Sequence, residues 1–517
     1  MALIDQFENV TIGPKSFSGG RNTESSQDMG EERGSGSVLP NQLIMLTNFD
    51  VGSMRAPLIG RRGTNEMNST AINSGARIRS IHFYTKVSTG TKYCLIQTGT
   101  EVGTFNLTAG TWTQLATGLS TTSLRWVNWN DNAYGFNGTG IYKFDGTNWT
   151  QVQDSDADTP DSLDGTVLDD VLFTAWDTTS YPSRVPYSDA FDAEAWTATN
   201  FRRIREGDGQ EIVGIDTVGN KILCRRSNSV LWLHGSGIES FAEEFLSEEI
   251  GQIGRMTSAA RGGAVFFQSN RGIEYFYPGT PSLFNNIARE TCASELLAYT
   301  RTIRDAAVAI YHQKTDRYLI SYPDADTPTV FVFFANMPML APDGNMWFPH
   351  TIYTGLTITA MAIDSEEGAE GKLYFGTSTG YMLEADYGYS DSGLTISGIL
   401  KWGYTNCAIP NQVKNFARIF VPARCTGGLQ VTADVDYSKK IKSKITSTYT
   451  PEDVGIWDSS SWDDCNWASE NVGTKKVRFI KMNGIRLAVQ IKKDMNDITE
   501  IHPFIVEYFP KEKVRWP

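Results

Sequence analysis

The sequence is poor in the residues from which small metal and disulfide scaffolds are built. Its six cysteines, at 94, 224, 292, 407, 425 and 465, are scattered and form no CxxC. Neither a zinc knuckle nor a disulfide framework is expected, and reduced, buried thiols are. The five histidines, 82, 234, 312, 350 and 502, form no HxH or HExxH pair, so no histidine metal or triad site is expected. No stretch approaches the ~18 apolar residues of a membrane span. No basic residue leads from Met1 into an apolar run, so Sec export is not expected and synthesis in a cytosol is. There is no GK[ST] of a phosphate-binding loop, nor a GxGxxG that follows a strand and opens a helix. Helix signals are sparse. Ala293 to Thr300 suits a short helix and Ile238 to Ser247 two or three turns, which excludes the alternating strands and long helices of an α/β enzyme.

What is plentiful is glycine and the aromatic residues of strands, in short runs separated by turn residues. One small unit occurs twice between Gly209 and Gly279. The first copy runs Val218-Gly-Asn-Lys-Ile-Leu-Cys, a polar turn, then Ser229-Val-Leu-Trp-Leu-His-Gly235. The second runs Arg261-Gly-Gly-Ala-Val-Phe-Phe, a polar turn, then Gly272-Ile-Glu-Tyr-Phe-Tyr-Pro-Gly279. Asn220 and Gly263 are equivalent and 43 positions apart. Short strands recurring every 40–45 residues or so are the signature of propeller blades. Similar units flank this pair. Leu107-Thr-Ala-Gly-Thr-Trp112 and Phe144-Asp-Gly-Thr-Asn-Trp149 read as one outer turn in successive units, and Asn137-Gly and Asp145-Gly as hairpin turns.

The expected architecture is all-β: an N-terminal arm over 1–78, a β-propeller-like core of six or seven irregular blades over 79–390, and a C-terminal antiparallel β-sandwich over 391–517. The arm is glycine- and serine-rich and reads either as disordered or as packed on a neighbouring subunit, for which Leu43 to Leu46 with Phe49 offer apolar anchors. Its closeness to the chain's other end also allows packing on the sandwich. Between two sandwich strands, Trp457 to Trp467 forms a tryptophan-rich loop.

The formal charge of −13 is unevenly spread: residues from 393 onward carry +5 and the remainder −18. An acidic body repels nucleic acid, and acidic surfaces also favour solubility. Lys439-Lys-Ile-Lys-Ser-Lys444 and Lys511-Glu-Lys-Val-Arg-Trp-Pro517 are basic stretches that read as exposed sheet loops or as contacts to an acidic partner.

Candidate chemistry is weak. Asp154, Asp156, Asp158, Asp161 and Asp164 begin like a calcium loop, but Pro160 interrupts them and no Glu stands at the twelfth position. They read as a solvated loop, as does Asp324-Ala-Asp-Thr-Pro328. Gly376-Thr-Ser-Thr-Gly380 matches G-x-S-x-G, but Tyr381-Met-Leu-Glu reads as a strand where a nucleophile elbow needs a helix. Ser378 is therefore read as a turn residue. No catalytic, cofactor-binding or metal residue is assigned.

The order of features resembles the tail nozzle or hub (tail tubular) proteins of short-tailed bacteriophages. The carrying residues are Asn48-Phe-Asp, Met54-Arg and Arg61-Arg-Gly; Ser183-Arg-Val-Pro-Tyr-Ser-Asp with Trp196; Glu211-Ile-Val-Gly-Ile, Lys221-Ile-Leu and Ser229-Val-Leu-Trp; Glu249-Ile-Gly-Gln-Ile-Gly; and Val265-Phe-Phe-Gln with Arg271-Gly-Ile-Glu-Tyr-Phe. Each piece is short, and the specificity lies in their succession over roughly residues 40–280. The resemblance implies a virion tail protein without enzymatic activity, assembled in the host cytoplasm. It implies a homo-oligomeric ring of six copies below the portal and adaptor, with tail fibres or tailspikes as further partners. Double-stranded DNA would pass through its lumen without sequence-specific binding during ejection. No cofactor is implied. Two other readings are a propeller glycoside hydrolase or carbohydrate-binding protein, with carboxylates and aromatics converging on a central cleft, and a receptor-binding tail component with exposed aromatic loops.

Overall fold

The computed structural model describes residues 10–12, 26–29, 37–38, 43–51, 58–153, 159–177, 180–235, 241–261, 263–277, 284–286, 293–334, 350–351, 353, 355–364, 371–407, 412–425, 428–436, 444–449, 473–495 and 498–510. The tryptophan-rich loop, Asp154 to Asp158, Lys439 to Ser443 and the tail from Lys511 lie outside them.

Among these residues the chain builds seven antiparallel blades in succession, the last two continuing edge to edge into strands of the C-terminal domain. Blade 1 is Ile78–Lys86, Thr91–Thr98, Glu101–Asn106 and Thr111–Ala116. Blade 2 is Arg125–Trp129, Asn132–Phe136, Ile141–Phe144 and Trp149–Gln151. Blade 3 is irregular: Asp164–Leu168 pairs with Val171–Ala175, Arg184–Pro186 with Phe201–Arg203, and a bridge from Phe173 to Tyr187 joins the pairs. Blade 4 is Ile212–Val218, Lys221–Arg226, Val230–His234 and Ala242–Ser247. Blade 5 is Ala259–Arg261, Ala264–Ser269, Gly272–Phe276 and Phe284–Asn286. The repeated unit of the sequence is thus the middle hairpin of blades 4 and 5. Blade 6 is Val308–His312, Arg317–Tyr322, Thr329–Phe334 and His350–Thr351, and blade 7 is Ile358–Asp364, Lys372–Thr377 and Met382–Tyr387.

The first strand of each blade is innermost. Those of blades 1, 2, 3 and 4 touch in turn, as do those of blades 5, 6 and 7, and the first strand of blade 7 packs on that of blade 1. The circle is closed by the N-terminal segment: Gly63–Glu66 pairs antiparallel with Met382–Tyr387 and becomes the outer strand of blade 7. Closure leaves the last blade with a paired edge and ties together segments more than 300 residues apart in sequence. Strand residues between blades alternate into a layered apolar core; Phe136, Leu223, Val265, Phe267 and Phe375 are fully buried, each contributing about 1.5–3 kcal/mol. The fold is the all-β propeller with a terminal sandwich that the sequence pattern implies.

Local departures from expectation have clear causes. Ile238 to Ser247 reads as helical from Ala, Glu and Leu, but Ala242–Ser247 is the outer strand of blade 4, because pairing with Val230–His234 overrides intrinsic propensity. The helical residues between blades 5 and 6 are Ala293–Ala298 and Arg301–Asp305, the second capped by Thr300, whose Oγ1 accepts from Ile303 N.

The sandwich packs two sheets. One holds Lys414–Arg424 between Gly473–Gly484 and Ile505–Pro510. The other holds Leu394–Thr405, Leu487–Met495, Leu429–Val435 and Lys444–Tyr449. The N-terminal segment contributes to both. Val10–Ile12 pairs with Ile505–Pro510, Leu58–Gly60 with Glu500–Ile501, and Leu43–Thr47 with Leu394–Thr405. Leu43, Leu46 and Phe49 are fully buried in the same core as Leu400, Trp402, Val489 and Ile491. The expectation that these anchors pack on a neighbouring subunit is corrected: they are spent inside their own chain.

Candidate functional site

Two buried polar constellations stand out, one on the propeller axis and one where the propeller meets the sandwich.

The axial constellation begins with a recurring device. The second strand of several blades ends in a buried polar side chain that holds the loop leading to the next blade. In blade 1, Gln97 Nε2 donates to Ser120 O (3.2 Å) and Thr122 O (2.9 Å), and its Oε1 accepts from Leu124 N (2.7 Å). In blade 5, Gln268 Nε2 donates to Ile253 O (3.1 Å) and Arg304 O (2.9 Å), and its Oε1 accepts from Tyr322 Oη (2.6 Å). In blade 6, Ser321 Oγ donates to Ile358 O (2.8 Å). Backbone groups of inter-blade loops are thereby satisfied away from water.

Between blades 4 and 5 the loop does more: it crosses the axis. Gly251 lies so close to Ser227 that a Cβ would stand 2.2 Å from its carbonyl carbon, and Gly254 has φ 75°, a conformation suited to glycine. Gln252 Oε1 accepts from Arg225 Nε (2.5 Å) and its Nε2 donates to Gly254 O (3.0 Å). The turn Arg255–Thr257 then sends Arg255 across to Leu163 O (2.7 Å) and Ser123 O, in the loops preceding blades 3 and 2. From blade 2, Arg125 Nε donates to Asp164 Oδ1 (3.1 Å) and Nη2 to Ser258 Oγ (3.1 Å), while Asp164 Oδ2 accepts from Ile215 N (3.1 Å). This plug fills the axis on the side of blades 2 to 5. Burial pulls Arg255 down to about 10, Asp164 opposing this and Arg125 adding to it. Burial also opposes charge on Arg125, but Asp164 and Asp216 together hold it above its ordinary value. Asp164 is 2% exposed, so the reading of the acidic run as a solvated loop fails at its last member. A carboxylate at the start of an inner strand faces the axis, and Arg125 Nε, Ile215 N and Gly165 N supply what water would.

On the side of blades 5, 6, 7, 1 and 2 the axis keeps a cavity of about 290 Å³, lined by Arg79, His82, Arg125, Ser258, Tyr311 and Ala360 among others. His82 stacks flat on Trp126, with centroids 5.2 Å apart, and Nε2 meets Asn128 Oδ1 at 2.6 Å. Burial pushes it down to about 4, the Asn128 contact opposing.

The second constellation joins the domains. Arg61 makes a two-pronged contact with Asp391, Nη1 to Oδ1 at 2.8 Å and Nη2 to Oδ2 at 2.5 Å, and its Nε donates to Asn48 Oδ1 at 2.9 Å. Asn48 Nδ2 donates to Ser397 O (2.8 Å) at the start of the sandwich. The ring of Tyr353, between blades 6 and 7, lies 4.3 Å from the Arg61 guanidinium carbon. Beside it Arg317 of blade 6 pairs with Asp50 (3.3 Å) and Asp386 (2.5 Å). Burial raises the Asp50 carboxyl above its usual range; Arg317 opposes this, Asp386 adds to it and Arg61 opposes it. Side chains from the N-terminal segment, blades 6 and 7 and the sandwich thus meet in one clasp.

The other sequence candidates are dispersed. Ser378 lies in the turn between Lys372–Thr377 and Met382–Tyr387, its N donating to Thr357 O (3.1 Å), and a strand follows it. His312 is buried between Thr315 and Gly371, and His234 faces Glu244 at 3.4 Å. His502 donates its backbone N–H to Pro422 O, and His350 contributes a strand residue. Asp324 pairs with Arg77 at the surface (2.8 Å). Cys94, Cys224 and Cys407 are buried free thiols. Among the described residues no three His, Cys, Asp or Glu side chains gather as metal ligands, and no helix is long and apolar enough to cross a membrane. Sequence reasoning missed Arg79, Arg125, Arg255 and Gln97. Their only local signal is a polar residue at the edge of an apolar strand, which a turn also produces.

No family model and no curated protein matches the chain. Solved structures similar to it are propeller proteins of varied kinds. The extracellular domain of a hybrid two-component system from B. thetaiotaomicron has a TM-score of 0.41 and 11% identity, over 62% of this chain and 39% of that one. The Pan2 WD40 domain of Neurospora crassa has a TM-score of 0.40 and 9% identity, over 65% and 97%. BamB from Moraxella catarrhalis has a TM-score of 0.36 and 11% identity, over 65% and 95%.

Proposed function

We propose that the protein is a structural subunit of a phage tail nozzle or hub, acting as a building block without enzymatic chemistry. It would form a ring, of six copies as the resemblance implies, whose lumen conducts DNA. The observation that carries this reading is where the resembling residues fall. Asn48, Asp50 and Arg61 belong to the clasp. Ser183 to Asp189 with Trp196 frame blade 3, with Val185 and Trp196 buried and Arg184 stacked 3.5 Å from the Tyr181 ring. Gly251 and Gln252 form the plug. All three hold the architecture, and none converges on a reacting centre.

Two further features agree. Arg255 and Arg125 reach across the propeller's own axis to the loops and strands of facing blades, which favours a DNA channel between copies over one through a propeller. The acidic body suits a lumen through which phosphates slide without adhering. By contrast, none of the described residues lining the axial cavity is a carboxylate, where a glycosidase requires a pair. Native mass measurement and low-resolution imaging of the purified chain test the proposal. A closed oligomer is expected; a stable monomer with hydrolase activity removes it.

A further inference from the structure

We propose that the axial cavity binds a small organic anion, a carboxylate on a compact apolar body, with Arg79 as its cationic anchor. The inference is independent of the ring reading, since the cavity lies within one chain.

The backbone singles out Arg79. In the innermost strand of blade 1, Ile78 faces Thr98 and Ser80 faces Gln97, leaving Arg79 as an extra residue in a bulge. The same irregularity opens the innermost strands of blades 4 and 7, where the extra residues are Val213 and Thr359. A bulge turns its extra side chain away from the two regular faces of the strand. In blade 7 the structure itself uses that side chain: Thr359 Oγ1 donates to Ile78 O (2.7 Å) and Gly376 O (3.1 Å). In blade 4 it is apolar and buried. In blade 1 it is an arginine that lines the cavity, with Nε buried and without a hydrogen-bond acceptor among the described residues.

The neighbouring charges do not satisfy it. Asp324 is engaged by Arg77 at 2.8 Å, and Asp164 by Arg125. Burial, with Arg77 beside it, holds Arg79 below its ordinary value against a weaker pull from Asp324. Arg125 being already paired with Asp164, the cavity presents the Arg79 guanidinium and, among the described residues, no carboxylate on its walls, which selects an anion over a cation.

The remaining walls define the rest of the ligand. Ala259, Ala309, Ala360, Met361 and Ile310 are apolar, and Trp126 offers a ring. Inorganic phosphate would shed its water against those alanines without replacement partners; a carboxylate on an aromatic or branched body would not. At about 290 Å³ the space is roughly twice an engineered cavity of about 150 Å³ that takes up benzene. Phenylacetate has the right size and charge to serve as a probe.

The test is calorimetric titration of the purified full chain with phenylacetate, with phenylacetamide as the neutral isostere. Saturable binding is expected with a Kd on the order of 1 mM or tighter, at least about tenfold weaker for the amide. Arg79→Gln should abolish the preference for the carboxylate while thermal unfolding stays within about a degree. Ala360→Leu, which fills the cavity from blade 7, should remove binding of both probes and serves if Arg79→Gln does not fold. Trp126 fluorescence, isolated by subtracting a Trp126→Phe variant, should respond to the carboxylate. Equal affinity for acid and amide, unchanged binding in Arg79→Gln, displacement by inorganic phosphate, or absence of binding would each overturn the proposal.

Discussion

The clasp buries its arginines and the axis half-buries its own, and the two treat them differently. At the clasp Arg61 and Arg317 face carboxylates, and each pair joins segments far apart in the chain. On the axis Arg125 also meets a carboxylate, Asp164, but Arg255 is held by two backbone carbonyls, and Arg79 has an unmatched Nε. A buried charge that is fully paired fixes a geometry and offers nothing to a ligand. One satisfied by carbonyls, or left with a donor over, retains capacity for an incoming anion. The difference divides the molecule into a joint that must not move and a cavity that can be filled.

The largest effect should come from breaking the joint. Asp391→Ala leaves Arg61 buried without its carboxylate and should cost about 3–5 kcal/mol in denaturant unfolding. The double change Arg61→Met with Asp391→Leu should recover most of that loss, because an apolar pair removes both charges. If the single change costs less than the double, the clasp is not the joint described here. At the plug, Arg255→Ala should cost less, about 2–3 kcal/mol, since neutral carbonyls rather than a charge are left behind. A loss as large as that of Asp391→Ala would erase the contrast between the two regions. Smaller again is Gln97→Ala, about 1–2 kcal/mol, read most directly as faster amide exchange at Leu124.

The smallest expected effect is one of pH. The His82 value falls from 6.5 to about 4 on folding, so the unfolded chain takes up the proton first. The stability that neutral His82 contributes is present above pH 6.5 and is lost as pH falls toward 4. His82→Asn should flatten the stability–pH profile in that window and leave it unchanged above neutrality; a profile identical to that of the parent chain would contradict the half-buried, neutral imidazole.

How far the sequence reveals this depends on the range of each interaction. Hairpin turns are local and legible: Asp145 Oδ1 accepts from Thr147 N and Asn148 N, and Gly146 takes φ 94°, as Asp-Gly between aromatic strands implies. The repeat and the all-β class follow from such turns. Closure of blade 7 by Gly63–Glu66 is not legible, because Glu66 finds its partner at Leu383 and nothing in its own neighbourhood marks it. The arm boundary at 78 accordingly gathers residues that serve the sandwich, the clasp and the propeller. Arg61 and Asp391 are 330 positions apart, and either alone reads as a surface charge. Asp164 misleads for a related reason: it follows an acidic loop in sequence but enters the axis in space. The Arg79 bulge has no sequence signature, since it is a property of strand register.

The ring is the claim on which the functional account turns. Its most direct test is an electron-microscopic map of the assembled protein that places the lumen relative to the propeller axes. The expected lumen lies between subunits, acidic along its wall and wide enough for a DNA duplex, with every propeller axis closed at Arg255. A monomer, a basic lumen, or DNA passing through an opened propeller axis would contradict it.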